Sequence, residues 1–172
     1  SLIAAMRRAD LVVCSGASLE VGWLPILLQK AGNANTQPGA PGYLLAADVV
    51  PLLEKPARLD RADGDVHPEG NPHVQLNPHN IALVAKELTA RLKAIDPSNA
   101  DAYQARYDVF SRKWEQAIAR WEKDAASLKG APMVVHHKSF TYLLDWLDMK
   151  DAGSLEPKPG IPPSTAHLNT LV

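Results

Sequence analysis

Six histidines are the side chains best suited to chemistry near neutral pH: His67, His73, His79, His136, His137 and His167. Three fall in one polar stretch, residues 54–80, and two stand together where a predicted strand, Pro132–Val135, ends. Open α/β sheets bind ligands at the ends of strands and in the loops that follow. Imidazole is the commonest protein ligand for zinc, which takes about four ligands with Zn–N near 2.0–2.1 Å. Nucleophilic catalysis has little behind it. Ser15-Gly16 and Ser139 lack a Gly-x-Ser-x-Gly elbow, and Cys14 closes an apolar run. That single cysteine also excludes an internal disulfide and a cysteine-rich zinc module. No phosphate-cradling glycine loop and no His-Glu-x-x-His helix occur. Two readings survive, a metal site and scattered surface histidines, and spacing alone does not choose between them.

The elements that must position these residues alternate. Residues 2–10 read as an amphipathic helix, Leu11–Cys14 as a buried strand and Glu20–Lys30 as a second helix. Tyr43–Ala46 follows as a strand and Val49–Leu53 as a helical turn. Residues 54–80 hold six Pro or Gly and five Asp or Glu, and read as one long structureless loop. Ile81–Ile95 is helical. From Asn99 to Leu128 no Pro or Gly interrupts the chain, and Tyr103, Phe110, Trp114 and Trp121 recur at helical steps. Such a helix is about 45 Å long at 1.5 Å per residue, enough to run along two lobes or join them. Its aromatic stripe reads as core packing. Pro132–Val135 is a buried strand, Ser139–Leu147 a helix, Ala152–Leu155 a strand, and a last helix starts near Ser164. This alternation predicts an α/β fold with a mostly parallel sheet.

Composition narrows the classes. The 172 residues carry 18 basic and 19 acidic side chains, a net charge of −1, which gives no electrostatic case for nucleic acid. Apolar residues make up 46%, too many for a disordered chain. No apolar run reaches the roughly 20 residues of a membrane span. The opening Ser1-Leu2-Ile3-Ala4-Ala5-Met6 starts within the repeating pattern, so the chain is expected to be a fragment or a mature product cut inside its first lobe.

Four stretches carry a resemblance. Gly70-Asn71-Pro72-His73-Val74-Gln75-Leu76-Asn77-Pro78-His79-Asn80 resembles the Gly-x-Pro-His-x-Trp-Leu-Asp-Pro-x-Asn segment of metal-specific solute-binding proteins that serve bacterial ABC importers, the ZnuA/TroA-like cluster. Ala9-Asp10-Leu11-Val12-Val13 with Gly16 and Leu19-Glu20, the stretch His137–Leu143, and Glu156-Pro157-Lys158-Pro159 with Ser164 and His167-Leu168 are similar to three further family segments. Singly each is weak, but their order and spacing agree over nearly the whole chain. Gln75 and Asn77 depart from it, where an aromatic residue and Asp are common.

The resemblance implies a two-lobed periplasmic metal-binding-protein fold with a long interlobe helix, incomplete at both termini. It divides the chain into an N-terminal lobe (1–97), a connecting helix (98–130) and the start of a C-terminal lobe (131–172). His73 and His137 fall on two of the family's four ligand positions, and the other two are expected outside residues 1–172. Zinc members have His at the third position where manganese members tend to have Glu, so His137 favours Zn2+ over manganese. His136 and His67 are accessory positions, His136 as a neighbour of the site and His67 in the region of a His- and acid-rich loop. His79 and His167 read as polar residues at helix starts, and Glu20 and Glu156 as capping or structural. The implied function is extracytoplasmic capture of zinc and its delivery to an ABC permease, without enzymatic activity. The alternatives are a zinc-dependent hydrolase and a metal-binding surface adhesin on the same scaffold. Exposed apolar surface on helix 2–10 and around Val134 and Leu155 is expected to favour self-association of the fragment.

Overall fold

A computed structural model describes residues 1–56 and 67–171. Its elements in the first half are α1 (Leu2–Met6), β1 (Val12–Cys14), α2 (Leu24–Ala31) and β2 (Tyr43–Leu45). There follow α3 (Pro78–Ile95), α4 (Ala100–Asp124), β3 (Pro132–Val135), α5 (Thr141–Trp146), β4 (Lys150–Ser154) and α6 (Thr165–Leu168). β1 pairs with β2 and β3 with β4, both in parallel. A parallel pair needs a crossover, and α2 and α5 lie in those two connections. The α/β reading with parallel sheets is therefore met.

The first core forms where the sequence alternates most regularly. Leu24, Leu27, Leu28 and Ala31 share one face of α2 and are buried with Met6 of α1, against Val12, Tyr43 and Leu45 of the first sheet. Each such leucine contributes roughly 1.5–3 kcal/mol by leaving water. Between α3 and α4 the chain turns at Pro97–Asn99, and the two helices pack together.

Several expectations move. α1 ends at Met6 rather than residue 10, because the Asn33 carboxamide donates to the Met6 and Ala9 carbonyls, each at 2.8 Å, and draws the chain out of the helix. α2 begins at Leu24, not Glu20. Ala17 and Ser18 take positive φ, and the Glu20 carboxylate turns back to accept from the Ser15 and Gly16 N–H groups. The 54–80 stretch is not loop throughout: a 3-10 turn spans Val74–Leu76, and α3 starts at Pro78 with Asn77 accepting from the His79 N–H. The rest of that expectation falls partly on residues 57–66, outside those described.

α4 stops at Asp124, giving about 37 Å rather than 45 Å, and a 3-10 turn at Ala126–Leu128 continues it. Its aromatic stripe is not core. Ile118 is the buried residue of α4, while Phe110 stacks on Trp114 and Trp114 meets Trp121 edge to face along a partly exposed flank. Trp114 anchors that flank by donating its Nε1–H to the Pro78 carbonyl at 2.8 Å. Nor are the two short strands buried throughout, since Val13 is 47% and Val134 45% exposed.

Candidate metal centre

His73 owes its position to the turn before α3. Gly70 holds φ at +128°, and a Cβ there would meet the Leu53 carbonyl oxygen at 2.8 Å, so only glycine fits. Asn71 and Pro72 are buried, and the Asn71 Oδ1 accepts from the His73 backbone N–H at 2.9 Å. On the far side Val74 is buried, and its carbonyl accepts from Asn80 of α3. The residue is thus clasped from both directions.

His137 leaves the end of β3. Parallel pairing continues past the strand ends: the Leu155 N–H donates to the Val135 carbonyl and the Glu156 N–H to that of His136. The register therefore sets Glu156 beside His137, and its Oε2 lies 2.6 Å from the His137 Nδ1. Hydrogen bonds from His137 and from the Gly160 N–H hold the Glu156 carboxyl below its ordinary pKa.

The two histidine rings meet edge to face, with centroids 5.6 Å apart at 74°. Two imidazoles bound tetrahedrally to one zinc at a Zn–N distance near 2.1 Å have centroids about 5 Å apart. The rings line one cavity of about 290 Å³ together with His67, Glu54, Lys138 and Pro157. Burial, with His137 and then His67 nearby, pushes the His73 imidazole below its usual pKa, against the weaker pull of Glu54. A neutral ring is the form that binds a cation.

Beneath the cavity, Tyr142 is 1% exposed. Its hydroxyl donates to the Asn71 carbonyl at 2.7 Å and accepts from the Leu53 N–H at 3.1 Å. The Glu54 carboxylate accepts from Asn71, Thr141 and Lys138. Both histidine-bearing loops therefore rest on one hydrogen-bonded network, buried at Asn71 and Tyr142 and open to solvent at Glu54.

Of the expected site residues, His73, His137 and His67 come to the same cavity. His136 does not line it; its side chain is 67% exposed and its Nδ1 stands 4.0 Å from Glu156. His79 pairs instead with Glu122 of α4 at 2.9 Å, and His167 reaches the Ser154 carbonyl through Nε2. Glu20 has the structural role expected of it. Among the described residues, no group of three His, Cys, Asp or Glu side chains is disposed around one metal position. Sequence does not single out Asn71 or Glu54, and Glu156, expected to be structural, bonds a candidate ligand. Only the β3–β4 register and the packing of two distant loops reveal these partners.

A family model described as zinc-uptake complex component A, periplasmic, matches residues 1–172. The high-affinity zinc uptake system protein ZnuA of Brucella abortus is 25% identical over 99 residues, which are 58% of this chain and 30% of that protein. The manganese ABC transporter substrate-binding lipoprotein PsaA of Streptococcus pneumoniae is 28% identical over 109 residues, 62% of this chain and 32% of the relative. A crystal structure of ZnuA superposes with a TM-score of 0.77 at 23% identity, over 98% of this chain and 59% of that one. A zinc-bound ZnuA deletion mutant gives 0.75 at 26%, over 98% and 58%. The chain thus spans about a third of the curated relatives it matches and under two thirds of the solved ones.

Proposed function

The chain belongs to the family of periplasmic zinc-uptake component A, and from that premise we propose that His73 and His137 supply two of the ligands that capture a zinc ion outside the cytoplasm for an ABC importer. The observation that carries this reading is the approach of the two rings to 5.6 Å from opposite halves of the chain. Sequence identity does not separate zinc from manganese, since relatives of both kinds match at similar levels. Donor chemistry favours zinc. Two imidazole nitrogens suit zinc, whereas manganese is better served by carboxylate and carbonyl oxygen. The protein is a binding component, not an enzyme. Delivery to a membrane permease follows from the family's role in uptake, and the remaining zinc ligands come from outside these two loops.

Calorimetric titration with Zn2+ and Mn2+ tests the reading, with His73→Ala and His137→Ala alongside. Zinc is expected to bind at least about tenfold more tightly than manganese, and each alanine change to weaken it by about tenfold or more. A manganese preference overturns the choice of metal. Zinc affinity untouched by both substitutions overturns the choice of ligands.

A further inference from the structure

We propose that Asn71 is the positioning residue of this centre: its carboxamide oxygen fixes His73 as the Nδ1–H tautomer, so that Nε2 keeps the lone pair a metal requires. The inference rests on the reading of His73 as a ligand. The Asn71 Oδ1 lies 2.8 Å from the His73 Nδ1 as well as 2.9 Å from its backbone N–H. An amide oxygen can only accept, so Nδ1 must be the donor. A neutral imidazole has one N–H, and placing it at Nδ1 leaves Nε2 free.

The other end of the carboxamide decides which atom is oxygen. The Asn71 Nδ2 lies 2.7 Å from the Lys138 carbonyl oxygen and 2.8 Å from a Glu54 carboxylate oxygen, with the Thr141 hydroxyl at 3.3 Å. Turning the amide over would set its oxygen against a carbonyl and a carboxylate, and its NH2 against an N–H donor. One orientation satisfies every partner. The residue is only 8% exposed, which limits water as a substitute partner. Through Lys138 and Thr141 the same side chain grips the loop that carries His137. A single amide therefore sets the binding state of one histidine and ties it to the segment presenting the other.

The test compares zinc-free protein with Asn71→Leu, which removes acceptor and donors, and Asn71→Asp, which keeps the acceptor and loses the donors. Long-range 1H–15N correlation spectra read the protonated nitrogen of His73 directly, and competition against a chromophoric chelator reads zinc affinity. Wild-type protein and Asn71→Asp are expected to carry the proton at Nδ1. In Asn71→Leu the signal shifts toward Nε2–H and zinc affinity falls 10- to 100-fold, to an order of magnitude the size seen when a ligand's outer partner is lost. Asn71→Asp stays within about threefold of wild type while melting lower, which a purely structural role would not allow. Tyr142→Phe, which loosens the same loops without touching the acceptor, lowers the melting point and leaves the tautomer as it is. An unchanged His73 spectrum in Asn71→Leu overturns the proposal, and so does an Asn71→Asp protein with the proton at Nε2. Should Asn71→Leu not fold, Asn71→Asp alone decides by the same two readouts. A fixed Nδ1–H tautomer together with zinc affinity indifferent to His73→Ala would leave the positioning intact and refute the metal reading.

Discussion

The Nδ1 of His137 and the Oε2 of Glu156 meet at 2.6 Å because the parallel pairing of β3 with β4 runs on beyond both strands. A carboxylate accepts, so this ring too donates its Nδ1–H, and the Nδ1–H tautomer keeps the lone pair at Nε2. Carboxylate–imidazole pairs of this kind raise ligand basicity and fix ring orientation. Glu156→Ala is expected to lower zinc affinity about tenfold with little change in fold, as read by titration and near-ultraviolet circular dichroism. Full affinity in that variant would remove Glu156 from the centre.

Tyr142→Phe should be costly for one oxygen atom. Its hydroxyl serves the Asn71 carbonyl and the Leu53 N–H in a buried position, and both lose their partner together. An unsatisfied buried group costs about 1–3 kcal/mol, so a loss of about 2 kcal/mol in urea denaturation is expected. A change below about 0.5 kcal/mol would mean that water replaces the hydroxyl.

Acid should loosen the zinc-free protein through His73. Unfolded, this imidazole takes up its proton near pH 6.5; folded, burial and the neighbouring His137 and His67 delay protonation to lower pH. Below about pH 6.5 the unfolded chain therefore binds more protons, and stability falls as pH drops through the lowered folded value. Above pH 6.5 the effect vanishes. Urea midpoints measured from pH 7.5 to 5 should decline, and His73→Gln should flatten the part of the slope due to this ring. An equally steep decline in that variant would assign the slope to other groups.

Gly42→Ala should be among the most damaging small substitutions outside the centre. A Cβ at that position would run into the backbone carbonyl oxygens of Asp10 and Asn35, neither of which can swing aside as a side chain would. The Gly42 carbonyl also accepts from the Val12 N–H at the head of β1. A loss of about 3 kcal/mol or more is expected, seen as a fall in the thermal midpoint. Gly22→Ala meets nothing within 4 Å and serves as the comparison.

Local signals were legible where one segment decides its own structure. The strand at Pro132–Val135 and the long α4 follow from an apolar run and unbroken periodicity, whereas α3 starts at Pro78, three residues before the Ile81 expected of it. The boundaries that shifted depend on side-chain bonds to backbone that periodicity does not register: α1 is cut short by Asn33, distant in sequence, and α2 starts late because the nearby Glu20 serves the backbone of Ser15 and Gly16. His73 and His137 were picked out by motif resemblance, and their spatial meeting required the fold. Asn71 lies two residues from His73, but its link between the two loops is invisible in sequence because its amide NH2 reaches Lys138 and Thr141, far along the chain. A sequence shows which residues can bond, whereas register and packing choose which do.

The network under the cavity has a consequence for how this scaffold can vary. The chain departs at Leu53 and returns at Asn71, and there the Asn71 N–H donates to the Leu53 carbonyl at 2.9 Å while the Tyr142 hydroxyl spans the two backbones. Leu53 and Asn71 are thus fastened to each other and to Tyr142 through backbone groups, which any residue but proline supplies at position 53. The Leu53 side chain can therefore change without loss of this fastening, whereas a change at Tyr142 unfastens both backbones beside His73 at once.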